Sequence, residues 1–225
     1  MIRLKQIFVA IIFVAFPLLF LFISNITNDI SLDDLKTEFK YKNSRFVKVD
    51  GTFLHYVDEG EGTPIILLHG TGASLHTWDL WAERLKDKYR VLRITLPGFG
   101  LSGPRRDKKY KIKDYVNLLE SFVEKIGVEK FYLAGNSLGG SIAWLYTSYN
   151  DNKVKKLILI NSSGFEFDEI PFVIKIARNK HLNFLIKKIS PKFLIKKSLN
   201  EVYFDDKRIS KSIINRYYKL NLREG

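Results

Sequence analysis

Residues 135–140 read GNSLGG and place Ser137 between two glycines in the pattern Gly-x-Ser-x-Gly. The apolar residues before the pattern favour a β-strand, and the residues that follow Ser137 favour a helix that starts near Leu138. A serine on such a sharp strand-to-helix turn exposes its hydroxyl, and the crowded backbone requires small residues two positions before and after it. The stretch therefore predicts a nucleophilic serine at Ser137, in a sheet whose strands alternate with helices.

Other apolar runs support this sheet. RFVKV and TFLHYV, separated by Asp50-Gly51, predict a hairpin with a tight turn. TPIILLHG, YRVLRITLPG and VKKLILINSSG are apolar without alternation, as in strands covered on both faces. Residues 112–128 show helical periodicity that ends at Gly127. The order predicts an α/β fold with about six strands in a mostly parallel sheet and helices on both faces.

The glycine-rich loop HGTGAS, residues 69–74, follows one of the central strands. Attack by a serine creates a tetrahedral oxyanion, which needs preorganised hydrogen-bond donors. The backbone N–H groups of Leu138, at the helix start, and of Thr71 are the candidate donors. Alternatively the two glycines only form a tight loop, and for His69 itself a structural hydrogen-bonding role is favoured. Neither a metal ion nor an organic cofactor is expected, because acyl transfer at serine requires neither.

A third loop, LPGFGLSGP at residues 96–104, is rich in proline and glycine. Together the three loops resemble the α/β-hydrolase superfamily, in its branch of capped serine esterases and carbon–carbon bond hydrolases, from about Arg45 to Gly164. The resemblance implies hydrolysis of a small-molecule ester or related acyl substrate through an acyl-serine. Epoxide hydrolases and haloalkane dehalogenases of the superfamily have aspartate at the position of Ser137. The chain departs from the family pattern at Thr95, where aspartate is usual, and this departure is expected to alter local hydrogen bonding.

The base that would activate Ser137 is not evident. In this fold the triad follows the order serine, then acid, then histidine. After Ser137 the chain contains one histidine, His181, in a basic amphipathic segment that resembles the family's cap, and we interpret it as an ordinary cap residue. His55 and His76 precede the serine and are out of order.

The triad acid is equally hard to place. Some family members carry it after the strand that corresponds to VKKLILINSSG, where this chain has Asn161, Ser162 and Ser163. Three acidic residues that follow are assigned to the start of the cap, and two later ones are interpreted as solvated residues at a helix start: Glu166, Asp168 and Glu169, then Asp205 and Asp206. We therefore expect a serine hydrolase truncated before its acid and histidine. The alternative is a catalytically inactive remnant that at most binds apolar ligands.

The first 24 residues predict a membrane segment. Arg3 and Lys5 precede an uncharged run from Ile7 to Ser24, which as a helix would extend about 27 Å, close to the thickness of the hydrocarbon core. The basic flank predicts a single-pass anchor with the catalytic domain on the extracytoplasmic side. Secretion after cleavage of a signal peptide is the alternative, although FISNITND lacks a small-x-small cleavage site.

Composition and patterning complete the domain plan. Residues 25–44 are polar and are predicted to be a linker, residues 45–164 the hydrolase core and residues 165–225 a helical cap. In the cap we expect Phe172, Val173, Ile176 and Leu185 to face the mouth above Ser137. The formal net charge is +13, but no nucleic-acid motif accompanies the lysines, and no nucleic-acid partner is expected. The chain has no cysteine, so it has neither a disulfide nor a thiolate metal site.

Overall fold

The computed structural model of the protein describes Phe16, residues 27–164, Asn179 and residues 192–225. The chain divides into two compact units. The larger unit contains the described residues of Ile30–Glu166 together with Lys219–Gly225, and the smaller unit contains the other described residues. The last seven residues, which the sequence placed with the cap, therefore belong to the unit that carries the sheet.

The larger unit is built on a six-stranded sheet, which confirms the predicted strands. The strands are β1 Ser44–Val49, β2 Thr52–Glu59, β3 Thr63–Leu68, β4 Tyr89–Ile94, β5 Phe131–Asn136 and β6 Val154–Ile160. Their order is β1-β2-β4-β3-β5-β6. The β1–β2 and β2–β4 pairs are antiparallel, and the other three pairs are parallel, so the sheet is mostly parallel as predicted.

Helices pack on both faces of this sheet, again as predicted. The helices of the larger unit are α1 Leu32–Phe39, α2 Asp79–Leu85 after a 3-10 turn at Leu75–Trp78, α3 Ile112–Lys125 and α4 Leu138–Tyr149. On one face, α3 and α4 bury alternate strand residues such as Ile66 and Leu92. On the other face, Trp78 and Ala82 cover the intervening residues such as Leu67. A sheet with both faces covered explains the apolar runs without alternation in the central strands.

The predicted turn and helix end also form where the sequence placed them. Asp50 and Gly51 join β1 to β2 with φ values of 46° and 78°, as a primed hairpin turn requires. Helix α3 ends at Lys125, and Gly127 follows with φ of 68°, the left-handed conformation that commonly stops a helix.

Part of the segment 25–44, which the sequence predicts to be a linker, is helical. Its residues 32–39 form α1, which Ser31 caps by accepting a hydrogen bond from the Asp34 N–H at 3.2 Å. Leu35 is 1% exposed and packs with Leu101 and Leu220 in a small apolar cluster of the larger unit. The helix is short and mostly polar, so it depends on this tertiary contact, which a local reading of the sequence does not reveal.

Two more helices lie in the last 34 described residues. They are α5 Lys192–Val202 and α6 Lys211–Asn221, with a 3-10 turn at Asp206–Arg208 between them. Both helices lie within 165–225, which the sequence predicts to be a helical cap, whereas Phe172, Val173, Ile176 and Leu185 lie outside the described residues. Among the described residues there is no helix whose length and apolarity would let it span a bilayer. The predicted anchor at 7–24 lies, apart from Phe16, outside the described residues.

We predict that Leu35→Ala lowers the free energy of unfolding by about 2–4 kcal/mol, because it opens a cavity in the cluster that holds α1. Urea unfolding of the variant measures this change. The matched control is Leu80→Ala, since Leu80 is 68% exposed and its removal should change stability by no more than about 0.5 kcal/mol. Equal stabilities of the two variants would mean that α1 does not contribute to the folded unit.

Candidate active site

Ser137 lies at the turn between β5 and α4, where the sequence predicted it. Its backbone has φ of 50° and ψ of −114°, a conformation that residues with a side chain rarely adopt. The Ser137 N–H donates to the carbonyl of Ile160 at 3.1 Å, and the Ser137 carbonyl accepts from the N–H groups of Ser141 and Ser163 at 3.0 and 3.2 Å. Backbone hydrogen bonds from three directions therefore hold this strained residue in place.

The glycines of the pattern are required by close backbone contacts. A Cβ atom added to Gly135 would lie 2.2 Å from the Gly139 carbonyl oxygen. A Cβ atom added to Gly139 would lie 2.2 Å from the carbonyl oxygen of Leu68, the last residue of β3. Real Cβ atoms essentially never come this close, so any side chain at either position would push α4 away from the sheet.

The glycine-rich loop lies directly against the nucleophile. A Cβ atom added to Gly70 would be 3.1 Å from the Cβ of Ser137. Leu138 is the first residue of α4, and its N–H has no partner within the helix. Thr71 is exposed at the turn that follows Gly70. The two predicted donor residues thus belong to the segments that meet at Ser137, and their role as oxyanion donors remains a prediction.

His69 has the structural role that the sequence favoured. Its Nδ1 lies 2.7 Å from the Gly70 carbonyl oxygen, so Nδ1 carries the proton and donates it. Its Nε2 accepts a hydrogen bond from the Leu96 N–H at 2.9 Å. Burial of the ring lowers the pKa of His69 to about 4, so the ring stays neutral near pH 7. His69 therefore connects the loop after β3 to the loop after β4.

The rings of His55 and His76 form hydrogen bonds with groups other than Ser137. The Nε2 of His55 lies 2.7 Å from the Ser44 hydroxyl, and its Nδ1 lies 3.3 Å from the Thr95 hydroxyl. The Nε2 of His76 lies 2.9 Å from the carbonyl oxygen of Phe39 at the end of α1. Within residues 27–164 and 192–225, no histidine forms a hydrogen bond with the Ser137 hydroxyl. His181 lies outside the described residues.

Thr95 stands where the family usually has aspartate. Its hydroxyl and carbonyl groups take part in a local hydrogen-bond network. Its hydroxyl contacts the His55 ring and accepts from the Leu75 N–H at 3.4 Å. Its carbonyl oxygen accepts from the hydroxyl of Ser102 at 2.6 Å, and that hydroxyl in turn accepts from the His55 N–H at 2.9 Å. Neutral hydroxyl and imidazole groups thus satisfy one another where an aspartate would add a charge.

The structure also locates part of the candidate acid region. After β6, Ser163 contacts the hydroxyl of Ser141 in α4 at 2.6 Å between the two Oγ atoms. Asp205 caps the 3-10 turn by accepting from the Lys207 N–H at 3.0 Å, which confirms the prediction that it starts a short helix. Asp206 is the first residue of that turn. The three acidic residues Glu166, Asp168 and Glu169 lie outside the described residues.

One neighbour of the loop was missed from sequence. The side-chain amide of Asn221 donates to the Gly72 carbonyl oxygen at 2.8 Å, across 149 positions of the chain. The segment 219–225 also pairs with Ile30, whose N–H donates to Leu222 and whose carbonyl accepts from Glu224. No local pattern near Asn221 indicates this contact, because the two ends meet only when the sheet and α1 are in place.

Comparison with known proteins agrees with this architecture. A sequence model of the family described as "alpha/beta hydrolase fold" matches residues 63–182, more than half of the chain. The matched stretch contains both the glycine-rich loop and Ser137. The chain belongs to the α/β-hydrolase fold family.

Relatives with different reactions share this region. The chain is 34% identical over 118 residues to epoxide hydrolase 4 of Mus musculus, covering 51% of this chain and 33% of that protein. It is 30% identical over 119 residues to 2-hydroxymuconate semialdehyde hydrolase of a Pseudomonas species, covering 52% of this chain and 41% of that protein. The chain thus spans well under half the length of these relatives.

A solved structure extends the similarity to the whole chain. The crystal structure of a membrane phospholipase A, described as a bacterial virulence factor, matches with a TM-score of 0.68 and 25% identity. This match covers 99% of this chain and 70% of that protein.

We predict that acidification destabilises the fold through its buried histidines. Burial lowers the pKa of His69 to about 4 and that of His55 to about 3, below the ordinary value of 6.5. Below pH 6.5 the unfolded chain therefore binds protons that the folded chain does not, and stability falls as the pH drops toward 4. At pH 5 the loss is about 2 kcal/mol for each histidine.

Urea unfolding between pH 7.5 and 5 measures this loss, and NMR titration of the imidazole Cε1–H signals assigns it. Ring signals of His55 and His69 that titrate near pH 6.5 would contradict the prediction.

Proposed function

We propose that the protein is a membrane-anchored serine hydrolase that cleaves ester or related acyl substrates through Ser137. The observation that carries this proposal is the strained turn at Ser137, which is held by backbone bonds and touched by the glycine-rich loop. Strain of about 1–3 kcal/mol at one residue persists where the surroundings enforce it, and such residues cluster at functional sites. Family membership supports the same assignment, because the matched region contains this turn.

In the proposed reaction, the Ser137 hydroxyl oxygen attacks the carbonyl carbon of the substrate and its proton passes to a general base. The N–H groups of Leu138 and Thr71 donate to the oxyanion, and the positive end of α4 favours that negative charge. The bond to the leaving group then breaks, the leaving group takes up the proton, and water hydrolyses the acyl-serine. The base and its acid lie outside the described residues in this proposal, because His55, His69 and His76 are engaged elsewhere.

The membrane part of the proposal rests on the sequence of residues 7–24 and on one structural relative. The solved membrane phospholipase A matches with 25% identity and covers 99% of this chain. That relative also favours lipid esters among the acyl substrates open to a serine hydrolase. An anchored enzyme of this kind would have its catalytic domain on the extracytoplasmic side.

We predict that the 225-residue chain by itself hydrolyses p-nitrophenyl esters only feebly. Without a base the serine stays protonated, and oxyanion and binding effects alone leave on the order of a thousandfold over water. Ser137→Ala should then change turnover little, and fluorophosphonate labelling of the chain should be weak. The matched control is Ser148→Ala, which removes an exposed hydroxyl at the other end of α4.

Brisk turnover that disappears in Ser137→Ala but not in Ser148→Ala would overturn the expectation that the 225-residue chain lacks the base. His181→Ala would then show whether His181 supplies it. The alternative function is an inactive fold that binds apolar ligands. Sequencing about 80 codons after Gly225 distinguishes it from the serine hydrolase. A strand ending in aspartate and a later Gly-His support the hydrolase, and inactivity of a chain extended by those residues supports the alternative.

We predict that residues 7–24 remain in the mature protein as an anchor, because the apolar run is long enough to span and lacks a cleavage site. Alkaline carbonate extraction of membranes should leave the protein in the pellet, and amino-terminal sequencing should begin at or near Met1. A soluble product that begins near Asn25 would establish cleavage and secretion instead.

A further inference from the structure

A strongly basic stretch lies in the larger unit between β4 and α3. Residues 105–113 read RRDKKYKIK, with six basic residues and one acidic residue. Five of the basic residues are exposed and are called the basic cluster below: Arg106, Lys108, Lys109, Lys111 and Lys113. Within the described part of the chain none of these five side chains forms an ion pair.

The one acidic residue of this stretch is used by its buried arginine. Arg105 is 9% exposed, and its Nε and Nη2 donate to the two carboxylate oxygens of Asp107 at 2.9 and 2.8 Å. The Oδ1 of Asp107 also accepts from the Lys109 N–H at 3.1 Å, and the Tyr110 hydroxyl accepts from the Arg105 N–H at 2.8 Å. These bonds fix the loop and leave the charge of the basic cluster uncompensated by Asp107.

The hairpin of β1 and β2 adds an exposed aromatic ring beside this loop. Phe53, the second residue of β2, is 53% exposed. The Nζ of Lys48 lies 5.9 Å from the centroid of the Phe53 ring, a cation–π contact. The Phe53 carbonyl accepts from the N–H of Gly103 at 2.9 Å, two residues before the basic stretch begins. The hairpin and the basic loop are therefore neighbours in the fold.

The strand directions place these features at the same edge of the sheet as Ser137. Strand β2 is antiparallel to β4, and Tyr56 pairs with Ile94, the last residue of β4. The start of β2, including Phe53, therefore extends past the carboxyl end of β4, where the chain turns toward the basic loop. Strands β4, β3 and β5 are parallel, and Ser137 directly follows β5. The hairpin turn, the basic loop and the candidate nucleophile thus lie at one edge.

We propose that this edge of the larger unit lies against an anionic lipid bilayer. Clustered cations attract anionic head groups, and an exposed aromatic ring favours the boundary between head groups and acyl chains. The basic cluster contacts the head groups, and Phe53 enters that boundary beside Lys48. A bilayer is favoured over nucleic acid, because the chain also contains the uncharged run from Ile7 to Ser24, which is long enough to span a membrane.

The lipid contact goes beyond the proposed function, since it requires neither a reaction at Ser137 nor a general base. Its consequence for catalysis does rest on the proposed function: the edge with Ser137 would face the bilayer, so that lipid esters reach the serine from the membrane. The test therefore includes Ser137→Ala, which should leave the lipid contact unchanged. Loss of hydrolysis with an intact contact would count against the serine hydrolase alone, and the reverse would count against this surface alone.

The experiment measures the environment of residue 53 by fluorescence. The chain has no cysteine, so Phe53→Cys provides a single attachment site for the fluorophore NBD. The full chain is reconstituted with vesicles of phosphatidylcholine alone or with added phosphatidylglycerol. We expect a blue-shifted emission only with phosphatidylglycerol, because the apolar run at 7–24 is the same in both samples, and high salt should reverse the shift. The control label at Tyr149→Cys, at the opposite end of α4, should not respond to the lipid composition.

Neutralisation of the basic cluster should abolish the shift. Each cation near an anionic surface strengthens the contact by about fivefold, so the triple variant Arg106→Gln, Lys108→Gln and Lys109→Gln should weaken it by about a hundredfold. The charge-conserving variant Arg106→Lys, Lys108→Arg and Lys109→Arg should keep the shift, and urea unfolding checks that each variant is folded.

The matched control removes three positive charges at the opposite edge of the sheet, through Lys86→Gln, Lys88→Gln and Lys130→Gln. These exposed lysines precede β4 and β5, and their loss should leave the shift unchanged. Equal emission with both kinds of vesicle, or a shift that survives neutralisation of the basic cluster, would overturn the proposal. Binding of single-stranded RNA by the basic cluster without any shift on anionic vesicles would overturn it as well.

Discussion

The close approach of α4 to the end of β3 is the contact on which the rest of the larger unit depends. It exists because Gly139 has no side chain: a Cβ atom there would lie 2.2 Å from the Leu68 carbonyl. The approach brings the first turn of α4, the end of β5 and the loop after β3 to one point. It thereby places the free N–H groups of a helix start beside a strained serine and a glycine-rich turn, before any side chain contributes.

The sheet could be predicted from sequence because its signals are local. The apolar runs of β3, β4, β5 and β6 are each complete within a few residues, and the Asp50-Gly51 turn defines the hairpin by its own backbone preference. The helix at 32–39 was not predicted, for the opposite reason. Only Leu35 is deeply buried there, and its partners Leu101 and Leu220 lie 66 and 185 positions away, so no window of sequence contains the evidence.

In the candidate site, too, some residues could be predicted from sequence and others could not. Ser137 and the glycine loop were predictable because strand, turn and helix follow one another directly in the chain. The hydrogen-bond partners of the histidines were not predictable, since His55 bonds to Ser44 and Thr95, and His76 bonds to Phe39. The same holds for Asn221, whose side-chain amide bonds to the Gly72 carbonyl. Contacts between distant segments therefore determine which polar residues surround the serine.

The shape of the turn at position 137 is set by its neighbours and not by its own side chain. The three hydrogen bonds that hold it involve only main-chain atoms, and within the described part of the chain its hydroxyl forms none. Exchange of the side chain there would alter the nucleophile without requiring a new backbone. Such a position separates the choice of nucleophile from the construction of the scaffold that holds it.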